Sequence, residues 1–227
     1  MAPQSAHDRM TVLTAMMDQG VIPVFYHPDV EVCRNVIQAC ADGGAKCIEF
    51  TNRGDFASQV FLDVARHFAK ADPSVIMGVG SVVDAPTAGI YIANGAKFVV
   101  GPLLNPDVAK VCNRRKIPYS PGCGTMSEIS MAEELGCEIV KIFPGDIVGG
   151  PAFVKAVLAP CPWTRLMPTG GVDASEASLR AWFEAGVVCV GIGSNLITKK
   201  LLEAKDYKGI ETRVRDTIAL IRSIRGK

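Results

Sequence analysis

Three residues of this chain have the types and placement that carbonyl chemistry needs: Lys141, Glu49 and Arg53. Lys141 stands in the middle of Glu138-Ile139-Val140-Lys141-Ile142-Phe143-Pro144, a run that otherwise reads as a buried strand. An ammonium group is rarely left inside a core. A lysine taken out of water gives up its charge readily and becomes a nucleophilic amine, which forms imines with ketones. Side chains alternate across a strand, so Ile139, Lys141 and Phe143 share one face while Val140 and Ile142 share the other. The same parity groups Cys47, Glu49 and Thr51, and Arg53 continues it into the next loop. Glu49 is a candidate proton shuttle, and Arg53 offers a fork of donors to a carboxylate. The bland counterpart is a Glu49–Lys141 ion pair that fills the interior.

The elements that must bring these residues together alternate in type. Short β-rich runs occur at Val21-Phe25, Lys46-Phe50, Val75-Gly80, Phe98-Gly101, Ile117-Ser120, Ile139-Phe143, Leu166-Pro168 and Val187-Gly191. Helical stretches separate them. Val30-Ala41 stops at Gly43-Gly44, and Asp55-Ala69 carries Phe56, Val60, Val64 and Phe68 four apart. Pro106 opens a helix, and Thr125 with Glu128 has capping-box spacing. Leu201-Ile224 reads as one closing helix. Alternation of this kind means a parallel sheet with crossover helices. Eight units in a chain of 227 residues predict a (β/α)8 TIM barrel in one domain over residues 1–227. An open doubly wound sheet has the same local pattern. An extra N-terminal helix, within about residues 1–20, presents Met10, Leu13, Met16 and Met17; it covers the N-terminal mouth or docks on the outer wall. In a barrel, Glu49 and Lys141 fall on the second and sixth strands. Barrel layers draw their side chains from alternate strands, so the two share a layer across the interior.

Composition narrows the function classes. Lys plus Arg total 24 against 23 Asp plus Glu, so no global field favours nucleic acid or anionic membranes. No apolar run reaches membrane-spanning length. The first ten residues lack the apolar core of a secretory signal, and the expected location is cytoplasmic. The eight cysteines form no C-x-x-C pair and read as core thiols, and the three histidines are scattered. No metal site is expected from them.

Glycine loops follow the late strands. Pro168-Thr169-Gly170-Gly171-Val172 ends the seventh and Gly191-Ile192-Gly193-Ser194-Asn195 the eighth. In barrels the loops at these two positions commonly hold phosphate, and a helix starting near Ser194 would add donors. Gly78-Val79-Gly80-Ser81 ends the third strand; Ser81 either donates to a carboxylate or caps a helix. Pro121-Gly122-Cys123-Gly124-Thr125 reads as a turn.

The motifs Glu49-Phe50-Thr51-Asn52-Arg53, Gly78-Val79-Gly80-Ser81, Lys141-Ile142-Phe143-Pro144 and Pro168-Thr169-Gly170-Gly171, in this order, resemble the class I 2-keto-3-deoxy-6-phosphogluconate (KDPG)/4-hydroxy-2-oxoglutarate (KHG) aldolases. The resemblance implies a (β/α)8 barrel, a homotrimer and a cofactor-free lyase. It makes Lys141 the Schiff-base lysine and Glu49 the general acid/base. Arg53 and Ser81 become the pyruvate-carboxylate site, with Ser81 where threonine is usual. Thr169 lines the aldehyde side, Gly170, Gly171 and Ser194 form the phosphate grip, and Gly193 and Phe143 belong to the substrate pocket. The implied substrate is KDPG, split to pyruvate and glyceraldehyde 3-phosphate; 4-hydroxy-2-oxoglutarate and 2-keto-3-deoxy-6-phosphogalactonate are the alternatives. Gly101-Pro102-Leu103, Asn52 and Tyr26-His27 depart from the family pattern. Two other readings are a phosphate-binding isomerase or synthase in which Lys141 acts only electrostatically, and a non-catalytic barrel that binds a phosphorylated metabolite.

Overall fold

The computed structural model describes residues 7–226. The expected spans of 1–227 and about 1–20 therefore extend beyond the described residues at both ends. Helix α1 (Arg9–Gln19) leads into β1 (Val21–Phe25), and helix and strand then alternate: α2 (Val30–Asp42), β2 (Cys47–Thr51), α3 (Ala57–Ala71), β3 (Ile76–Gly80), α4 (Ala85–Ala93), β4 (Val99–Val100), α5 (Pro106–Arg115). Two short strands, β5 (Tyr119–Ser120) and β6 (Gly122–Cys123), flank Pro121. Then come α6 (Met126–Glu134), β7 (Val140–Ile142), α7 (Gly150–Leu158), β8 (Leu166–Pro168), α8 (Glu176–Ala185), β9 (Val190–Ile192), α9 (Lys199–Glu203) and α10 (Tyr207–Ile224).

All strand pairs are parallel, in the orders β5-β4-β3-β2-β1-β9 and β6-β7-β8. Two joints close the ring. At one, Thr169 bridges Gly191, and the Val188 N–H donates to the Leu166 carbonyl at 3.0 Å. At the other, the chain runs from β5 to β6 through Pro121, which has no N–H for a ladder but whose carbonyl accepts the Lys141 N–H at 3.0 Å. The closed parallel sheet is a TIM barrel, and β5 with β6 fills its fifth position. The turn expected at Pro121–Thr125 is thus corrected: Gly122 and Cys123 pair with Lys141 and Ile142.

The core has two shells. Outside the barrel, Ile48, Phe50, Val140 and Ile142 pack against the helices. Inside, Ile22, Cys47, Ile76, Phe98, Ile139 and Cys189, from the N-terminal ends of the strands, meet Val12, Leu13 and Met16 of α1. Parity therefore runs as expected, and α1 plugs the N-terminal mouth. Met10 stays 68% exposed and takes no part. Gln19 fastens the plug: its amide donates to the carbonyls of Val21 (2.5 Å) and Cys47 (2.9 Å) and accepts from the N–H groups of Lys46 (2.5 Å) and Cys47 (2.9 Å).

Several local expectations hold and others change. Thr125 and Glu128 form the capping box of α6, and Gly43 caps α2. The cysteines are all free. Phe56, expected on an apolar helix face, precedes α3 in a left-handed conformation (φ 62) and is 76% exposed. The loop after β2 turns there before the helix can begin, so Val60, Phe61, Val64 and Phe68 make the buried face. The single helix expected over Leu201–Ile224 is broken at Lys205 (φ 51), and Asp206 starts α10 by accepting the Gly209 N–H at 2.8 Å. No helix among the described residues is long and apolar enough to cross a membrane.

Candidate active site

Glu49 is the middle residue of β2 and Lys141 of β7. Register sets Glu49 between Val24 and Gly78, and Lys141 between Gly122 and Met167. Both are buried, 2% and 5% exposed. Burial is the largest influence on each. It holds the Lys141 ammonium below the ordinary lysine range against the pull of the Glu49 carboxylate, and the Arg53 charge acts the same way. It raises the Glu49 carboxyl above its usual range despite Lys141 and Arg53. Each group is thus biased to its neutral form, an amine and a carboxylic acid. Among the described residues no ion pair joins the two, so the interior is not filled by a salt bridge. The Lys141 amine lies 4.4 Å from the centre of the Phe143 ring.

Glycine makes room for the acid. A Cβ on Gly80, at the end of β3, would overlap the Glu49 carboxylate. The next residue, Ser81, sits partly buried with φ 60, beside the loop whose Asn52 N–H donates to the Gly80 carbonyl at 2.8 Å.

A cavity of about 480 Å³ opens at the C-terminal ends of the strands. Arg53, Phe143 and Thr169 line it, as do the glycine loops through Gly170, Gly171, Gly193 and Ser194. Seven of the ten residues expected at the site therefore share one wall. Lys141, Glu49 and Ser81 do not form part of that wall; Lys141 adjoins it through Phe143. Arg53 is exposed, and its side chain makes no hydrogen bond or ion pair with another described residue. No carboxylate side chain lines the cavity.

The late loops have a reason for their glycines. Gly170 and Gly171 are consecutive left-handed residues (φ 85 and 70), and a Cβ on Gly171 would overlap Asp146. Gly191 leaves space for the Thr169 hydroxyl, which is buried and has no partner among the described residues. The helix expected near Ser194 is reduced to one turn: the N–H groups of Leu196 and Ile197 donate to the Gly193 carbonyl at 2.8 and 3.0 Å. A helix proper starts only at Lys199. The N–H groups of Gly170, Gly171 and Ser194 donate to no described residue. Amides left without an internal partner at a cavity wall suit an anion.

Tyr26, Asn195 and Lys199 also line the cavity. Tyr26 was legible as a residue just past the C-terminal end of a barrel strand, where barrel sites form. Nothing in the sequence signals Lys199, because its place depends on how the loop after β9 folds. Among the described residues no cluster of three metal-ligating side chains occurs.

The family model for KDPG and KHG aldolases matches residues 12–213. The chain belongs to the KDPG and KHG aldolase family. It is a class I aldolase, a lyase. It is 31% identical to the KHG/KDPG aldolase of Escherichia coli (strain K12) over 199 residues, covering 87% of this chain and 90% of that protein. Over 212 residues it is 29% identical to the 2-dehydro-3-deoxy-phosphogluconate aldolase of Treponema pallidum, covering 93% and 98%. The aldolase shares its fold with the KDPG aldolase of Legionella pneumophila, solved with pyruvate captured as a covalent carbinolamine intermediate. That match has a TM-score of 0.80 at 24% identity, covering 88% of this chain and 95% of that one.

Proposed function

We propose that this aldolase cleaves a 4-hydroxy-2-oxo acid through an imine on Lys141, with KDPG as the first-choice substrate and pyruvate and glyceraldehyde 3-phosphate as products. The observation that carries the reading is the buried Lys141, biased toward its neutral amine by desolvation and adjoining an anion-receptive cavity. The neutral amine attacks the C2 ketone, giving a carbinolamine. Glu49, biased toward its acid form, donates the proton that lets the C2 oxygen leave as water. The resulting iminium draws electrons from the C3–C4 bond. Glu49, now a carboxylate, takes the C4 hydroxyl proton as that bond breaks and the aldehyde departs. The enamine regains a proton at C3, and water releases pyruvate and the free amine. No cofactor enters this sequence.

Arg53 and Ser81 take the C1 carboxylate in this reading. The unpartnered Thr169 hydroxyl serves the aldehyde side, and Phe143 walls the pocket. The phosphate falls to Gly170, Gly171, Gly193 and Ser194, whose loops present the free amides. The Legionella relative, with pyruvate held as a carbinolamine, supports pyruvate as the product here. The Escherichia coli relative is named a KHG/KDPG aldolase and the Treponema relative a 2-dehydro-3-deoxy-phosphogluconate aldolase, and a structure named as native KDPGal has a TM-score of 0.81 at 20% identity. KHG and the phosphogalactonate therefore stand as the alternatives. A homotrimer in the cytoplasm is the assembly and location proposed with this activity.

The test is incubation with pyruvate and borohydride followed by mass mapping. An adduct on Lys141 is the expected result; its absence would sink the imine mechanism and favour a barrel in which the lysine acts only electrostatically. Comparison of phosphorylated with unphosphorylated 4-hydroxy-2-oxo acids tests the rest. If phosphate adds nothing to kcat/KM, the role given to the late glycine loops fails.

A further inference from the structure

Arg53 has no side-chain partner of its own among the described residues, so its aim depends on the backbone that carries it. That backbone is gripped on both flanks. On one side Tyr91 of α4, 1% exposed, donates its hydroxyl to Asn52 Oδ1 at 2.8 Å. On the other, Gly54 (φ 96) passes under Tyr26, so closely that a Cβ there would lie 2.8 Å from the Tyr26 hydroxyl. Between them the main chain is fixed at two points: the Asn52 N–H donates to the Gly80 carbonyl (2.8 Å) and the Arg53 N–H to the Thr51 carbonyl (2.9 Å).

The Tyr91 ring cannot swing away. It stands edge-on to Phe61, with centroids 5.1 Å apart. Phe61 meets Phe50 at 5.9 Å, and Phe50 meets Tyr26 at 5.6 Å. A row of packed rings thus runs beneath the loop from one tyrosine to the other. Burial also pushes the Tyr91 phenol up to about 12, which keeps it a hydrogen-bond donor throughout the working pH range.

We propose that the Tyr91–Asn52 hydrogen bond is a positioning contact that sets the aim of Arg53 and thereby the affinity for the carboxylate end of the substrate. The proposal rests on the aldolase reading above, in which Arg53 receives that carboxylate. Neither Tyr91 nor Asn52 lines the cavity, so neither needs to touch substrate. The contact acts on one end of the ligand only, because the aldehyde side is built from the loops after β8 and β9.

Tyr91→Phe keeps the ring and removes the hydroxyl. With the full chain, the pyruvate concentration that half-saturates borohydride trapping at Lys141 should rise about three- to tenfold, the counterpart of one lost neutral hydrogen bond. The trapped fraction at saturating pyruvate, and the KM for the aldehyde in the condensation direction, should stay at wild-type values. Asn52→Leu should give the same rise, and the double variant no more than either alone, since the two groups act as one contact. Where Tyr91→Phe does not fold, Asn52→Leu carries the same measurement. An unchanged half-saturation in the variants, with the wild-type adduct formed, overturns the role. An equal rise in the aldehyde KM marks general loosening and overturns it as well. Failure of the wild-type chain to form any adduct at Lys141 is a different result: it overturns the aldolase reading and this role with it.

Discussion

Lys141 and Glu49 each lose by being buried, and the sign of that loss can be measured. The Glu49 carboxyl is raised in the folded chain. Between its unfolded and folded pKa values the folded state therefore holds a proton that the unfolded state has released. Stability falls as pH climbs through that window, which opens at the ordinary glutamate value of 4.5. Lys141 is shifted down from 10.5, so in its window the unfolded chain holds more protons and stability rises with pH. Glu49→Gln removes the first dependence. The variant should melt a few degrees higher than wild type near neutral pH, and the gap should close as pH falls below 4.5; a Tm series against pH checks it. Gly80 supports the same carboxyl from outside. Gly80→Ala should push Glu49 aside and lower kcat about 100-fold or more, the scale of a lost general acid/base, with circular dichroism unchanged. A variant that keeps wild-type kcat would show that the carboxyl tolerates displacement.

Helix α1 illustrates what an element contributes apart from chemistry. Its Val12, Leu13 and Met16 seal the end of the barrel opposite the cavity, and Gln19 ties its C-terminus to β1 and β2 through four hydrogen bonds. Gln19→Leu strands buried backbone groups of Val21 and Cys47 and the part-buried N–H of Lys46. It should cost about 2–3 kcal/mol of unfolding free energy in urea while leaving kcat/KM near wild type, because the plug and the cavity lie at opposite ends. Much of the element pattern was legible in the chain. The inward parity of Glu49 and Lys141 follows from period-two alternation, and the Thr125–Glu128 cap from its spacing. Phe56 was not legible: a helical apolar spacing included it, but the loop that turns through Gly54 delays the helix and turns the ring outward. The break before α10 was equally hidden, since Lys205 reads as a helix former yet is left-handed where the Lys205 and Asp206 N–H groups close the end of α9 on the Leu202 and Leu201 carbonyls.

At the scale of the whole molecule, the near-neutral chain leaves recognition of an anion to local charge at the cavity. The cavity wall carries Arg53 and Lys199 and no carboxylate. Lys199 is 87% exposed and lies 3.5 Å from Glu203; an exposed pair of this kind is weak enough for a ligand anion to compete with it. Lys199→Ala should lower kcat/KM about two- to tenfold for a substrate with a distal phosphate and leave the value for an unphosphorylated analogue unchanged. Raising ionic strength should weaken the wild-type preference in the same direction, by screening. Equal effects of the substitution on both substrates would remove Lys199 from the recognition of the distal group.

The sequence by itself determined the periodicities: alternating strands and helices, an inward lysine and an inward glutamate, and glycines after the late strands. Those are local properties, set by a few neighbouring residues and by what each backbone region tolerates. It also carried enough motif order to indicate the family. Tertiary structure alone decided that β5 and β6 share one barrel position around Pro121, and that the turn after Gly193 stops short of a helix. It also brought Tyr91, 39 residues from Asn52 in sequence, against the Arg53 loop, and settled that Lys141 and Glu49 stay unpaired. Each of these depends on distances between residues far apart in the chain, which closure of the ring fixes and no local pattern encodes.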